Sequence, residues 1–215
     1  MKPTRRNRIL SRCLVIVVVA LVLTTIFHFV LSTDSNPHNG VLIVNTDRGQ
    51  GSCFIVAHRG EWWYAITAAH VVEVPIPGLM PPILTLTVDD ERYVAGIQRV
   101  DKKRDLALIR FKSPETYHIY YVSKTHVGEA CTVVGWSSGS QLVYHGYVVS
   151  MNYRGHMTMN GGLVPGCSGG AVLNPWGRVV GVAVASPIYR GMTFDTTTMC
   201  VPSRFVESMI VTIEE

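Results

Sequence analysis

The chain has 215 residues, of which 47% are hydrophobic and 16% are charged, with 19 glycines and 11 prolines. This composition is typical of a folded globular protein and excludes a disordered or collagen-like chain. The 19 lysines and arginines outnumber the 15 acidic residues, but five of them precede residue 13 and no acidic residue precedes Asp34. From Asp34 onward, 14 basic residues face 15 acidic ones, a net charge of −1. Because the body of the chain carries no basic excess, we expect no nucleic-acid binding.

An apolar segment near the N-terminus, residues 13–31, is long enough to cross a membrane. It reads CLVIVVVALVLTTIFHFVL and contains no charged residue. As a helix rising ~1.5 Å per residue it would span roughly 28 Å, about the thickness of a bilayer core. A cleavable signal peptide is the alternative, but its hydrophobic region is normally ~7–15 residues long and ends at a small-x-small site. Only residues 30–32 offer a weak site of that kind, so the length favours an uncleaved single-pass anchor.

The basic residues before the apolar segment predict its orientation. By the positive-inside rule they remain cytoplasmic, which places the rest of the chain on the other side of the membrane. The polar, turn-rich sequence STDSNPHNG then forms a linker. The chain thus divides into a basic cytoplasmic tail, a transmembrane anchor, a linker and a folded domain, at residues 1–12, 13–31, 32–40 and 41–215. If the apolar segment were a cleaved signal, the protein would instead be secreted.

Short apolar or alternating stretches of strand length follow the linker. They are rich in Val, Ile, Thr and aromatic residues, and turn residues separate nearly all of them. They lie at 41–45, 53–57, 62–67, 83–88, 106–111, 130–136, 141–153, 171–174, 178–186 and 196–203. So many short strands predict an all-β sandwich or a pair of barrels. Only the end of the chain changes period, since apolar residues at helical spacing predict one amphipathic helix containing Phe205, Val206, Met209, Ile210 and Ile213.

Two motifs place a histidine and an aspartate beside predicted strands. His70 ends the sequence TAAH at 67–70, where small residues leave room around the imidazole ring. Asp105 begins the sequence DLALI at 105–109, where a strongly apolar strand can partly bury its carboxylate and point it at a neighbour. Each motif alone is weak evidence. Most histidines are simply solvated, and an aspartate at a strand end is often only a cap.

The third motif, GCSGG at 166–170, surrounds Ser168 with glycines. Glycine accepts conformations that other residues avoid, so the backbone can turn sharply here and present its amides on one side. An oxyanion hole needs such an arrangement, because its N–H donors must lie ~3 Å from the developing negative charge. The motif therefore suggests a nucleophilic serine.

In the order His, Asp, Ser, these motifs resemble those of the trypsin-like serine peptidases with the chymotrypsin fold, most closely the HtrA/Deg protease domain. The spacings of 35 and 63 residues between the three candidate residues make the ordered set specific. The stretches 127–130 and 201–203 favour the HtrA side, and the resemblance covers residues 41–213. It implies two packed six-stranded antiparallel β-barrels with a short C-terminal helix, here preceded by the transmembrane helix.

The resemblance also implies a role for each motif. Ser168 is the expected nucleophile, His70 the general base and then acid, and Asp105 the group that orients the imidazole. The backbone amides of Gly166 and Ser168 are expected to bind the oxyanion. The expected reaction is peptide-bond hydrolysis through an acyl-enzyme, on protein or peptide substrates, with no metal and no cofactor. We therefore expect a membrane-anchored serine endopeptidase.

The fold implies where the residue before the scissile bond is bound. Residues 160–165 and 182–186 form the pocket walls, and Gly162 stands six residues before the serine, where trypsin carries an acidic residue. Neither wall contains an acid, so a basic substrate residue would be desolvated without a partner. Val184 and Ala185, followed by Ser186, give a narrow apolar slot. We expect a loose preference for small or medium aliphatic residues.

Several features depart from the family pattern. Cys167 precedes the serine where trypsin has the aspartate that pairs with a new N-terminus, so activation by N-terminal cleavage is not expected. Val71 stands where the digestive enzymes carry a disulfide-bonded cysteine, and the four cysteines of the body are expected to be unpaired. No PDZ module, common in HtrA proteins, is expected before the chain ends at Glu215. A homo-oligomer is compatible with the resemblance, since HtrA suggests a trimer.

Three other functions compete with this interpretation. The histidines are scattered and no CxxC or HExxH pattern occurs, which argues against a metal site. In cysteine peptidases of this fold the cysteine directly precedes Gly-Gly, whereas here Ser168 does so and Cys167 occupies the variable position. A catalytically silent binding protein that retains the peptidase fold stays open as the alternative function.

Overall fold

The computed structural model describes residues 38–47, 49–73, 83–88, 90–151, 156–185, 188–189, 192–193 and 197–213. The predicted tail, the predicted anchor and most of the predicted linker lie outside these residues. Within the described part of the chain, no helix combines the length and the apolar character that crossing a membrane requires.

Six antiparallel strands close into a first barrel. They are β1 (Val41–Thr46), β2 (Gly49–Arg59), β3 (Trp62–Thr67), β4 (Leu84–Val88), β5 (Glu91–Asp101) and β6 (Leu106–Phe111). The strand order is β1-β2-β3-β6-β5-β4, and pairing of β4 with β1 closes the barrel. One helical turn, α1 (Ala69–Val72), follows β3.

A second closed barrel contains six of the remaining strands. In chain order these strands are β7 (Ala130–Ser137), β8 (Ser140–Met151), β9 (Met157–Asn160), β10 (Ala171–Leu173), β11 (Val179–Ala185), the two-residue β12 (Ile188–Tyr189) and β13 (Met192–Thr193), and β14 (Thr197–Pro202). The barrel order is β10-β11-β14-β9-β8-β7, while β12 and β13 pair only with each other. The chain continues into α2 (Ser203–Ile210) and a 3-10 turn (Val211–Ile213).

The expected all-β fold of two six-stranded antiparallel barrels with a short C-terminal helix is confirmed. Two barrel strands, β5 and β9, were not among the predicted stretches, and neither was the two-residue pair β12 and β13. In β5 the inward-facing residues are only half-buried and alternate with exposed ones, and a register shift between Ile97 and Arg99 interrupts the alternation. Strand β9 has only four residues, and its apolar signal is limited to Met157 and Met159. Both patterns are too weak to stand out from a loop.

The largest apolar cluster lies between the two barrels. Phe54, Ile66 and Leu106 of the first barrel pack there with buried side chains of the second, including Val134, Ala171, Val182, Val184 and Val201. Helix α2 adds Val206 and Met209 to the same cluster, which explains its amphipathic pattern. Each large apolar side chain buried in this way contributes roughly 1.5–3 kcal/mol. The cluster therefore fixes one barrel against the other where the candidate residues lie.

Candidate active site

Strand pairing in the first barrel brings His70 and Asp105 together. Thr67, the last residue of β3, pairs with Ala107, the second residue of β6. Because the two strands are antiparallel, the chain leaving β3 into α1 runs beside the chain entering β6. His70 lies on α1, and Asp105 directly precedes β6. The register of this strand pair thus brings together two residues that lie 35 positions apart in the sequence.

The carboxylate of Asp105 contacts His70 through both of its oxygens. Oδ2 lies 2.7 Å from Nδ1 of the imidazole, and Oδ1 accepts a hydrogen bond of 2.9 Å from the backbone N–H of His70. An ionised carboxylate can only accept, so Nδ1 is the protonated nitrogen of the neutral ring. The other nitrogen, Nε2, then has a free lone pair. The pair thus holds the imidazole as a base in one orientation.

A tight turn aims Asp105 at the histidine. Its φ of 58° is in the left-handed region, which aspartate adopts more readily than most residues do. The preceding Arg104 is anchored on Asp101, whose carboxylate accepts from the Arg104 backbone at 3.1 Å and from its guanidinium at 2.7 Å. The same guanidinium lies 4.5 Å from the ring centroid of Phe205 on α2. The turn is therefore fixed both within the first barrel and from the C-terminal helix.

The environment of His70 favours its protonated form. The hydrogen bond to Asp105 is the largest cause and raises the pKa of the imidazole above 6.5, although burial acts in the opposite direction. The negative charges of Asp105 and Glu73 raise the pKa further. The imidazole side chain is 48% exposed, so solvent reaches it and screens these charges. An imidazolium formed during a reaction would be stabilised by the same groups.

The loop that carries Ser168 requires its glycines. Gly166 and Gly169 have φ angles of 95° and 86°, in the region that side chains rarely adopt. A Cβ on Gly169 would lie 2.1 Å from the Ser52 carbonyl oxygen, and one on Gly166 would lie 2.6 Å from the Trp136 carbonyl oxygen. Alanine at either position would therefore collide with backbone atoms. The GCSGG pattern reflects both the sharp turn and the close packing of this loop.

The Ser168 loop packs directly against the segment that carries His70. A Cβ placed on Gly51 would lie 2.6 Å from the Val71 side chain and 3.2 Å from the Ser168 carbonyl oxygen. Val71, the residue after His70, and Ser168 thus lie on either side of Gly51. The three candidate residues are therefore gathered at the junction of the barrels, two from the first and one from the second.

The hydroxyl of Ser168 contacts the second barrel in this structure. Its Oγ donates a hydrogen bond of 3.2 Å to the Val184 carbonyl, and no hydrogen bond within the described residues joins it to His70. The amides of Gly166 and Ser168 donate to no acceptor in the described part of the chain. The predicted oxyanion hole requires donors of this kind.

The structure describes three of the four predicted pocket residues. Val184 is buried and its carbonyl contacts Ser168, and Gly162 is half-buried in the stretch before the serine. Ala185 ends β11, and Ser186 lies outside the described residues.

Two further residues contact the stretch 160–165, the predicted pocket wall, and were not predicted from the sequence. The buried Thr198 donates from Oγ1 to the Gly161 carbonyl, and the Tyr144 hydroxyl lies 3.5 Å from the same Oγ1. Both belong to β-strands whose apolar alternation gave no sign of a special role. The pairing of these strands with β9 brings the two residues beside the stretch 160–165.

The cysteines of the described chain are poor nucleophiles. Cys53, Cys131, Cys167 and Cys200 are all buried and free. Burial raises the pKa of Cys167 to about 11, so the residue next to Ser168 is a protonated thiol at neutral pH. Since the thiolate is the reactive form, Cys167 is unsuited to nucleophilic catalysis.

Comparison with known proteins defines the class. The family model of the trypsin-like peptidase domain matches residues 51–182, more than half of the chain. The chain therefore belongs to the trypsin-like peptidases, and the class predicted from the sequence, a serine-protease hydrolase, is confirmed.

The individual relatives are proteases of the HtrA/Deg type. It is 29% identical over 147 residues to a probable periplasmic serine endoprotease, DegP-like, from Chlamydia pneumoniae, a match that covers 63% of this chain and 28% of the relative. A DegP-like protein of the same description from Chlamydia trachomatis is 28% identical over 150 residues, covering 65% and 29%. The matched part of the chain thus spans less than a third of each curated relative. The expected resemblance to HtrA/Deg protease domains is confirmed.

A solved structure shares the fold. The serine endoprotease from Yersinia pestis superimposes with a TM-score of 0.67 at 18% sequence identity, over 81% of this chain and 62% of that one. At this identity the likeness concerns the fold alone. It agrees with the two closed barrels described above.

Proposed function

We propose that the protein is a membrane-anchored serine endopeptidase in which Ser168, His70 and Asp105 form the catalytic triad. The observation that carries the proposal is the double contact between His70 and Asp105, which leaves one imidazole nitrogen free to act as a base. The adjoining serine loop, in which two amides have no acceptor among the described residues, supports the same role. Membership in the trypsin-like peptidases makes this the chemistry to expect of the site.

The reaction follows from these positions. As Ser168 Oγ attacks the scissile carbonyl carbon, His70 Nε2 takes the hydroxyl proton, and Asp105 stabilises the resulting imidazolium. The amides of Gly166 and Ser168 bind the oxyanion of the tetrahedral intermediate. Collapse of that intermediate breaks the C–N bond, and His70 donates its proton to the leaving amine. In deacylation, His70 takes a proton from water as the water oxygen attacks the acyl carbon. It returns that proton to Ser168 Oγ as the acyl C–O bond breaks, which releases the carboxylic product and free Ser168.

The bond from Ser168 Oγ to the Val184 carbonyl favours a second candidate, a catalytically silent binding protein with the peptidase fold. A hydroxyl that donates to a carbonyl does not donate to the base. However, rotation about one side-chain bond moves Oγ between staggered positions, so the contact is compatible with an active enzyme. Cleavage of denatured casein decides between the two candidates. The peptidase produces fragments that are absent with Ser168→Ala, whereas a silent protein gives identical traces for both.

The proposed specificity follows from the pocket walls. Neither 160–165 nor 182–186 contains an acid, and Val184 is buried and apolar. A peptide-library cleavage profile should therefore show Val, Ala, Leu or Ile before the scissile bond. The variant Gly162→Asp provides the matched comparison, because it supplies the missing carboxylate and should add cleavage after Lys or Arg. Dominant cleavage by the wild type after basic or acidic residues would refute the assigned walls.

The proposed location is the non-cytoplasmic side of a membrane, with residues 13–31 as the anchor and residues 1–12 in the cytoplasm. The charge distribution of the N-terminal sequence supports it. The curated relatives are described as probable periplasmic proteins, which agrees with a peptidase domain outside the cytoplasm. In sealed vesicles, an added protease should digest either the peptidase domain or the N-terminal tail and leave the other protected, because the two lie on opposite sides of the membrane. A mature protein that begins near Ser32 or Thr33 would show a cleaved signal instead.

A further inference from the structure

Ser52 is one of five buried polar residues in the described chain, and it lies next to the proposed active site. It belongs to β2, whose neighbouring positions are the apolar core of the first barrel, and its side chain is completely inaccessible. A buried hydroxyl is costly unless it is hydrogen-bonded. Its partners therefore indicate why a serine occupies this position.

All the bonding groups of Ser52 are occupied, and three of its four bonds reach the second barrel. Its Oγ donates to the Gly166 carbonyl at 2.8 Å and accepts from the Trp136 backbone N–H at 2.8 Å. Its backbone N–H donates to the Ser168 carbonyl at 2.8 Å. The fourth bond remains in the first barrel, where Thr67 Oγ1 donates to the Ser52 carbonyl at 2.7 Å. One residue thus bridges the barrels at the serine loop.

These bonds fix two peptide planes of the loop, one on either side of the plane that contains the Ser168 N–H. A peptide unit is planar, so holding its carbonyl also sets the direction of its N–H. Ser52 holds the plane after Gly166 through Oγ and the plane after Ser168 through its N–H. The plane between them contains the Ser168 N–H, and its own carbonyl, from Cys167, accepts from Gly170 at 2.9 Å. The orientation of a proposed oxyanion donor is therefore determined from both sides.

The loop needs such support because its flanking glycines do not fix the backbone themselves. Gly166, with a φ of 95°, is free of the steric limits that a side chain imposes. Without the Ser52 hydroxyl, the Gly166 carbonyl would lose its hydrogen-bond partner in the first barrel. The amides would then be less well organised before substrate binds, and preorganised donors account for much of this kind of catalysis.

We infer that Ser52 is a positioning residue that holds the oxyanion hole in its active geometry through its hydroxyl. The inference rests on the proposed function. It assigns to a first-barrel side chain the organisation of a second-barrel loop, and it does not involve contact with substrate.

The test uses the full chain with Ser52→Ala, which keeps the backbone bond to Ser168 and removes only the hydroxyl. The turnover number kcat should fall about 10- to 100-fold, somewhat less than the ~10²–10³-fold cost of deleting an oxyanion donor. KM should change little, because the loss concerns the transition state. Ser203→Ala is the matched control, since Ser203 is also buried and donates to a backbone carbonyl, that of Ser123, at 2.6 Å. It should retain wild-type kcat.

A spectroscopic measurement separates positioning from general destabilisation. Hydrogen bonds in the oxyanion hole weaken the acyl carbonyl and lower its stretching frequency. The infrared difference spectrum of an acyl-enzyme made from a ¹³C-carbonyl p-nitrophenyl ester should therefore shift to higher frequency in Ser52→Ala and not in Ser203→Ala. If Ser52→Ala does not fold, Ser52→Cys replaces it, because a thiol is a weaker donor and should give an intermediate frequency.

The possible outcomes are distinct. Suppose that the wild type forms an acyl-enzyme. The positioning role would then be overturned if the Ser52 variant kept the wild-type kcat and carbonyl frequency, or if Ser203→Ala lost as much kcat as the Ser52 variant. A wild type that forms no acyl-enzyme would instead contradict the proposed function itself.

Discussion

The two barrels hold their parts of the proposed site by different means. In the first barrel, His70 and Asp105 are joined directly by side-chain chemistry, with a carboxylate bonded to an imidazole and to its backbone N–H. In the second, the Ser168 loop is held through its own backbone carbonyls, one of which accepts from the Ser52 hydroxyl, and by glycines in the left-handed region. The first arrangement should therefore be sensitive to the charge and polarity of side chains. The second should be sensitive to any added Cβ.

The largest effect on activity is expected from Asp105→Asn. The amide keeps the shape of the carboxylate but can no longer stabilise an imidazolium, and it allows the wrong ring tautomer, so kcat/KM should fall by about 10⁴. Steady-state hydrolysis of a peptide ester measures this loss. Asp90→Asn is the matched control, because Asp90 also has a left-handed φ, of 68°, but lies in the exposed turn between β4 and β5. Similar losses in both variants would show that the effect does not depend on the contact between the Asp105 carboxylate and His70.

A large effect on stability is expected from Gly169→Ala. The new Cβ would collide with the Ser52 carbonyl in addition to adopting a strained φ, for a combined cost of about 3–5 kcal/mol in the free energy of unfolding. Gly177→Ala isolates the strain, since Gly177 has a φ of 72° and open space around it. It should cost about 1–2 kcal/mol. Urea denaturation measures both variants, and equal losses would contradict the close packing of the serine loop.

A smaller effect concerns the pH dependence of activity. Because Asp105 raises the pKa of His70, the acidic limb of kcat/KM in the wild type should have its midpoint above 6.5. In Asp105→Asn that cause is removed, and the midpoint should move to lower pH. The pH–rate profiles of the two proteins provide the measurement. A midpoint that stays in place would indicate that another group controls the limb.

The smallest effect is the contribution of the same pair to stability. A pKa raised by folding gives a stabilising contribution that is fully present below 6.5, the ordinary value for histidine, and is lost as the pH rises through the folded pKa. The free-energy difference between wild type and Asp105→Asn should therefore narrow with rising pH across this window. Urea titrations at a series of pH values test the sign. A difference that widens would contradict the raised pKa of His70.

The three candidate triad residues and Ser52 differ in how readily the sequence reveals them. The positions of His70, Asp105 and Ser168 came from short motifs, because each motif requires a particular residue type among small or glycine neighbours. Ser52 gave no comparable signal. Its role depends on a contact with Gly166, 114 residues away, which only the packing of the two barrels creates.

The fold was predictable where alternation and burial were strong and not where they were weak. Strands such as 106–111 are almost entirely buried, whereas β5 alternates between exposed and half-buried residues. The register of β3 on β6, which brings the acid to the base, depends on pairing of distant segments and could not be derived from local pattern. Local chemistry therefore predicted the candidates, and long-range pairing determined their geometry.

In the proposed mechanism, Ser168 is a nucleophile activated by His70. Labelling with a serine-directed fluorophosphonate, followed by mass spectrometry of the modified peptide, tests it most directly. The wild type should be modified rapidly at Ser168, Ser168→Ala should carry no label at this position, and His70→Ala should be modified at most very slowly. Equal labelling of the three proteins, or a label on the wild type at another residue, would contradict it.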